Sequence, residues 1–197
     1  MNKCCSCKFH TWSDEFKKEK CEIEGCYEFS KYVEFDFYRD NRIPMKIIFL
    51  DIDGVLNYKD SKSRIYSFIG IDNKRVKLLK KIISMTNAKI VLCSSWKDDW
   101  SLNKEEQTEH GNYLDRKLRN EGLYILDKTK DNNSDRGHGI HKWINSRNVT
   151  NWIVLDDEIF DDYDEEIIKH LVKSSFYEDG LNEKLVDEAI KLLNKEK

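Results

Sequence analysis

An apolar run at 47 to 50, Ile-Ile-Phe-Leu, passes directly into Asp51-Ile52-Asp53-Gly54, and this junction restricts the fold more than any other part of the chain. A short continuous apolar run reads as a strand covered on both faces, the condition of a parallel sheet with helices on either side. Residues i and i+2 of a strand point to the same side, so Asp51 and Asp53 leave the strand end aimed into one space. Two carboxylates there repel unless a divalent cation lies between them or one keeps its proton. Gly54 lets the backbone turn beside a ligand with no Cβ in the way.

Two later segments repeat the pattern. Ile90-Val91-Leu92-Cys93 ends in Ser94 and Ser95, and Trp152-Ile153-Val154-Leu155 ends in Asp156 and Asp157. Strands are expected at 46–51, 88–93, 123–126, 151–155 and 170–174. Helices are expected after an Asp72 cap, at 112–121, at 138–146, and after Gly180-Leu181-Asn182. This alternation predicts an α/β fold, a Rossmann-like parallel sheet of about five strands with helices on both faces. Ligands of such sheets collect at the carboxyl ends of the strands, so the two serines would face the crevice of Asp51. A hydroxyl and free backbone N–H groups there suit a phosphate oxygen, although serines at such a point also serve simply to cap a loop.

A cation completes the set. Arg136 stands just ahead of the helical segment that carries Ile140, Trp143 and Ile144, and a guanidinium can bind phosphate bidentately. Lys128 and Lys130 are alternatives. His138 and His141 read as solvated helix positions, and the acids from Glu158 to Glu166 as a solvated face.

The run Asp51-Ile52-Asp53-Gly54-Val55-Leu56 resembles the first motif of the haloacid dehalogenase (HAD) superfamily of phosphohydrolases. Ser94 is similar to the second motif and Asp156-Asp157 to the fourth. Arg136 stands where the superfamily most often has Lys. The resemblance spans residues 46 to about 194, and the Ser-Ser-Trp-Lys continuation is similar to a subgroup that includes small uncapped members. It implies a Mg²⁺-dependent phosphatase in which Asp51 is the nucleophile and Asp53 the general acid and base, a role for which Asp53 must hold a proton more readily than Asp51. Ser94, Ser95 and Arg136 would bind phosphate, and Asp51, Asp53 (through its main-chain carbonyl), Asp156 and Asp157 would form the Mg²⁺ site. Only sixteen residues separate Leu56 from the helix after Asp72, too few for a large helical cap. The site should therefore be open, and the substrate a phosphorylated molecule such as a nucleotide or a nucleic-acid end.

Five of the six cysteines precede residue 27. Cys4-x2-Cys7 and Cys21-x4-Cys26 are spaced for one tetrahedral structural Zn²⁺ site, with Cys5 or His10 as possible substitutes. Residues 1–44 thus read as a Cys-rich zinc-binding module and linker, with an alternating segment at 33–38, and residues 45–197 as the HAD-like domain. In a second reading the module recognises nucleic acid or protein and the HAD domain is only a scaffold. Four carboxylates kept at strand ends favour the enzyme.

The 197 residues suit one domain of about 150 residues and a small appendage. No apolar run approaches the ~18 residues of a membrane span, and no signal peptide is recognisable. A cytoplasmic location with reduced thiols and no membrane partner is the expectation. The formal net charge of -3 argues against a strongly basic nucleic-acid surface, without excluding a local patch.

Overall fold

The computed structural model describes residues 44–132 and 134–195. Cys4, Cys7, Cys21 and Cys26 and the alternating segment at 33–38 lie outside the described residues.

In chain order the elements are β1 (Met45–Leu50), β2 (Arg64–Ile65), β3 (Phe68–Ile69), α1 (Asn73–Thr86), β4 (Lys89–Leu92), α2 (Glu109–Arg119), β5 (Ile125–Lys128), α3 (Arg136–Asn145), β6 (Val149–Asp156), α4 (Glu165–His170), β7 (Leu171–Lys173) and α5 (Glu183–Leu193). Five strands form one parallel sheet in the order β5-β4-β1-β6-β7, and β2 and β3 form a separate antiparallel hairpin. The arrangement is the expected Rossmann-like α/β sheet.

The central strand is buried throughout except at Lys46, because both of its faces are covered. Ile48 and Leu50 join a core with Val76, Leu79 and Ile82 of α1 and Val186, Ala189 and Leu193 of α5. Phe49, pointing the other way, meets Trp143 of α3 edge-on at 5.7 Å and Trp152 at 6.0 Å. Each such fully buried large apolar side chain stabilises the fold by roughly 1.5–3 kcal/mol relative to exposure.

Register places the functional ends together. Leu50 pairs with Leu92 on one side and Leu155 on the other, so Asp51, Ser94 and Asp156 emerge at one edge of the sheet. The ladder continues one step further: Asp51 N–H donates to the Leu155 carbonyl (2.9 Å) and Cys93 N–H to that of Leu50 (3.0 Å).

Asp72 caps α1 as expected, its side chain accepting from Lys74 N–H, and Asn182 caps α5 through Leu185 N–H. Several boundaries differ from expectation, β6 for instance starting at 149 rather than 151. Thr108 caps α2 through Gly111 N–H, which starts that helix at 109 rather than 112. Gly122, at φ +76°, turns the chain out of α2 while Leu123 N–H bonds the Leu118 carbonyl, so β5 begins at 125 rather than 123. Helix α3 begins at Arg136 itself. The acidic stretch also holds structure that periodicity did not reveal. Asp164 caps α4 through Ile167 N–H, and Glu165 and Glu166 occupy its first turn, where the helix dipole favours negative charge.

Candidate active site

After β1 the chain makes a single helical turn, with Leu56 N–H donating to the Ile52 carbonyl at 2.8 Å. Gly54 sits at φ +71°, in the left-handed region, and a Cβ there would overlap the Asp157 carboxylate. Glycine is therefore required twice over, by the turn and by the close approach of Asp157.

Asp51 is buried and lies at the centre. Its Oδ1 accepts from Arg136 Nη1 at 3.1 Å, and Ser94 hydrogen-bonds the same carboxylate. The same Arg136 nitrogen donates to Asp156 Oδ2 at 2.6 Å, and the Tyr163 hydroxyl donates to that oxygen at 2.9 Å. The Arg136 guanidinium lies over the Phe160 ring, 4.1 Å from its centroid. Ser94 is fully buried and caps a short 3-10 helix at 95–98; Ser95 opens that helix and is exposed.

Asp51, Asp156 and Asp157 each offer a carboxylate oxygen within 4.8 Å of the others. Burial, and after it the charge of Asp156, hold the Asp51 carboxyl well above the usual carboxylate range; Arg136 pulls it only part of the way back. Burial and Asp156 likewise raise Asp157. One guanidinium shared between two buried carboxylates, with a third beside them, leaves an excess of negative charge. A hard divalent cation with oxygen ligands fits that donor set and that charge.

Asp53 stands apart from the three. Its carboxylate is exposed and held from two sides, Oδ1 accepting from Asn57 Nδ2 at 2.7 Å and Oδ2 from Trp96 Nε1 at 2.8 Å. Of the four aspartates expected around Mg²⁺, three converge through their side chains. Asp53 is left only its main-chain carbonyl for that purpose.

The sequence left three basic residues open for the cation. Lys128 Nζ is taken up by the carbonyls of Lys97 and Trp100, at 2.6 Å each, and Lys130 is exposed. Arg136 is the one bonded to the aspartates.

A profile of the HAD domain in Swiss Army Knife RNA repair proteins matches residues 47–186. The chain belongs to this HAD family. No curated protein and no solved structure matches it significantly. The matched span runs from β1 into α5 and includes every candidate residue of the aspartate site named above.

Several residues around the HAD site were not singled out from sequence. Asn57 donates to Asp53 while its Oδ1 accepts Gly54 N–H at 2.9 Å, which ties the turn to the carboxylate. Tyr163 and Phe160 lie inside the acidic stretch read as solvated. An aromatic pair among so many acids was the available signal. His138 is exposed as expected, and His141 pairs with Asp164 at 2.9 Å on the surface.

Proposed function

We propose that the protein is a Mg²⁺-dependent phosphomonoesterase that works through an aspartyl-phosphate on Asp51 and acts on a nucleotide or a nucleic-acid end. The observation that carries this reading is the buried Asp51 carboxylate bonded to Arg136 and Ser94, with Asp156 and Asp157 alongside and Asp53 held separately at the mouth. The substrate class draws on the RNA repair proteins for which the matched family is described. Only the short β2–β3 hairpin, and no cap domain, is inserted between β1 and α1, which suits a bulky ester.

In this reading an Asp51 oxygen attacks phosphorus while the bond from phosphorus to the leaving oxygen breaks. Asp53 gives that oxygen its proton, then takes one from the water that attacks the phosphoenzyme, which restores both aspartates. Asn57 and Trp96 fix the Asp53 carboxylate so that it can serve both steps. Ser94, the neighbouring Ser95 and Arg136 bind the phosphoryl oxygens, whose charge must be stabilised during transfer. Asp51, Asp156 and Asp157, with the Asp53 carbonyl, would hold Mg²⁺; bound there, the ion would offset the burial and the Asp156 charge that hold the Asp51 carboxyl high, so that Asp51 attacks as the carboxylate, and would polarise the phosphoryl group.

The test is a turnover screen of nucleotides, sugar phosphates and 3′- or 5′-phosphorylated oligonucleotides, with Mg²⁺ or with EDTA, on wild type and Asp51→Asn. Phosphate release that needs Mg²⁺ and vanishes in Asp51→Asn is expected. Near wild-type turnover in Asp51→Asn would overturn the mechanism.

A further inference from the structure

The hairpin of β2 and β3 carries large rings on its outer side. Tyr66 and Phe68 are 67% and 62% exposed, so burial does not account for either. Tyr66 also sits at φ +51°, a region that glycine or asparagine enters far more readily than a tyrosine. Both rings lean on one neighbour, His110 of α2, at centroid distances of 5.7 Å and 6.0 Å. Trp96 also meets His110 edge-on, at 6.1 Å.

Trp96 connects this aromatic group to the site, because its indole N–H donates to Asp53 Oδ2 at 2.8 Å. The hairpin is held in place rather than loosely attached. Ile71 N–H, at its exit, donates to the Tyr113 hydroxyl (3.0 Å), and Arg64 at its entry bonds the carbonyls of Ser61 and Ser63. Lys59, Lys62 and Arg64 are exposed along the same loop.

From this arrangement we infer that Tyr66, Phe68, His110 and Trp96 form a stacking platform for the nucleobase next to the phosphate that enters at Asp51, so that the substrate is the end of a single-stranded nucleic acid. The inference rests on the phosphatase reading for what that phosphate undergoes. Flat exposed rings beside cations match unpaired bases and their backbone, since every base presents a π-face and every linkage a negative charge. The patch is small, sits at the rim of the site, and shares a side chain contact with Asp53. An occupant joined covalently to the bound phosphate fits that position better than a separate protein or a membrane surface.

Two readouts test it, each with terminally phosphorylated pentaribonucleotides (3′ and 5′ forms) and with the matching oligomers whose terminal nucleotide is abasic. The first is the ratio of kcat/KM for the base-bearing over the abasic substrate in wild type, in Tyr66→Ala/Phe68→Ala and in the conservative Tyr66→Phe/Phe68→Tyr. The second is equilibrium binding of the same oligomers, by fluorescence anisotropy, to the Asp51→Asn chain with and without the alanine pair. The alanine pair should lower the ratio and weaken base-bearing binding by about tenfold or more, and the conservative pair should retain both. If turnover occurs but the ratio and the binding do not move, the platform is refuted while the phosphatase reading stands; a face for protein or membrane docking would give that result. If no oligomer turns over yet binding falls with the alanine pair, the platform stands and the phosphatase reading falls. If neither turnover nor base-dependent binding is seen, both are overturned.

Discussion

Replacing Arg136 by Met keeps an unbranched apolar side chain but removes the cation that Asp51 and Asp156 share and that lies over Phe160. The Arg136, Asp51 and Asp156 side chains are 7%, 8% and 1% exposed, so water does not replace the lost partner. Breaking a buried pair in this way costs about 3–5 kcal/mol, mostly because uncompensated buried charge remains. For a chain of this size that corresponds to a fall in Tm of roughly 6–20 °C. The loss should depend on pH in metal-free buffer. Burial already raises the Asp51 carboxyl above its unfolded value, and removal of Arg136 raises it further. A carboxyl raised in the folded state makes stability fall as pH rises through the interval between its unfolded and folded values, so the variant should recover part of its deficit when pH is lowered from 7 to 5. Added Mg²⁺ should stabilise the variant more than the wild type, because the ion would restore charge that Arg136 no longer supplies. Thermal denaturation of both proteins at the two pH values, with EDTA or with Mg²⁺, measures all of this. A Tm loss below about 2 °C at pH 7, or equal losses at both pH values, would refute the claim that Arg136 compensates these carboxylates.

Three other outcomes are expected. Asp53→Asn should abolish turnover by removing the proton donor and acceptor while leaving Asp51 able to attack, so acid-quenched protein incubated with labelled substrate should retain label if the phosphoenzyme forms and cannot hydrolyse. Gly54→Ala should destabilise by about 1–2 kcal/mol from its left-handed backbone alone and displace Asp157, which a lower urea midpoint together with a weaker apparent Mg²⁺ affinity in the turnover assay would register. For the N-terminal segment we propose one Zn²⁺ per chain on Cys4, Cys7, Cys21 and Cys26, since soft thiolates select zinc and the aspartate cluster does not; elemental analysis of protein purified under reducing conditions without chelator would count against it if no zinc is found, and a chain starting at residue 44 should still hydrolyse a small phosphoester.

The strand ends were legible because their signal is local. Apolar residues 47–50, 90–92 and 152–155 are buried on both faces, so continuous runs mark the strands, and the first polar residue after each run has to stand at the sheet edge. Asp51, Ser94 and Asp156 follow directly. The order of the strands then brings these three ends together; the alternation of strand and helix implied a parallel sheet, whereas which strands are neighbours came only from the tertiary structure. What the residues could not convey was partnership across long separations. Arg136 rather than Lys128 reaches Asp51 because α3 starts at 136 and points its first side chain into the crevice, whereas the Lys128 amine folds back on two carbonyls, 31 and 28 residues earlier in the chain. Asp53 looked like an equal partner of Asp51 on period-two grounds, yet the helical turn after β1 carries it away to Asn57 and Trp96. Tyr163, which lies among acids read as a solvated face, drew no reading from sequence; the loop after β6 returns it to Asp156. Local periodicity determines which residues leave the sheet and where, whereas the loops that return to the edge decide which charges and rings they meet, because those contacts follow from tertiary packing rather than from neighbours in the chain.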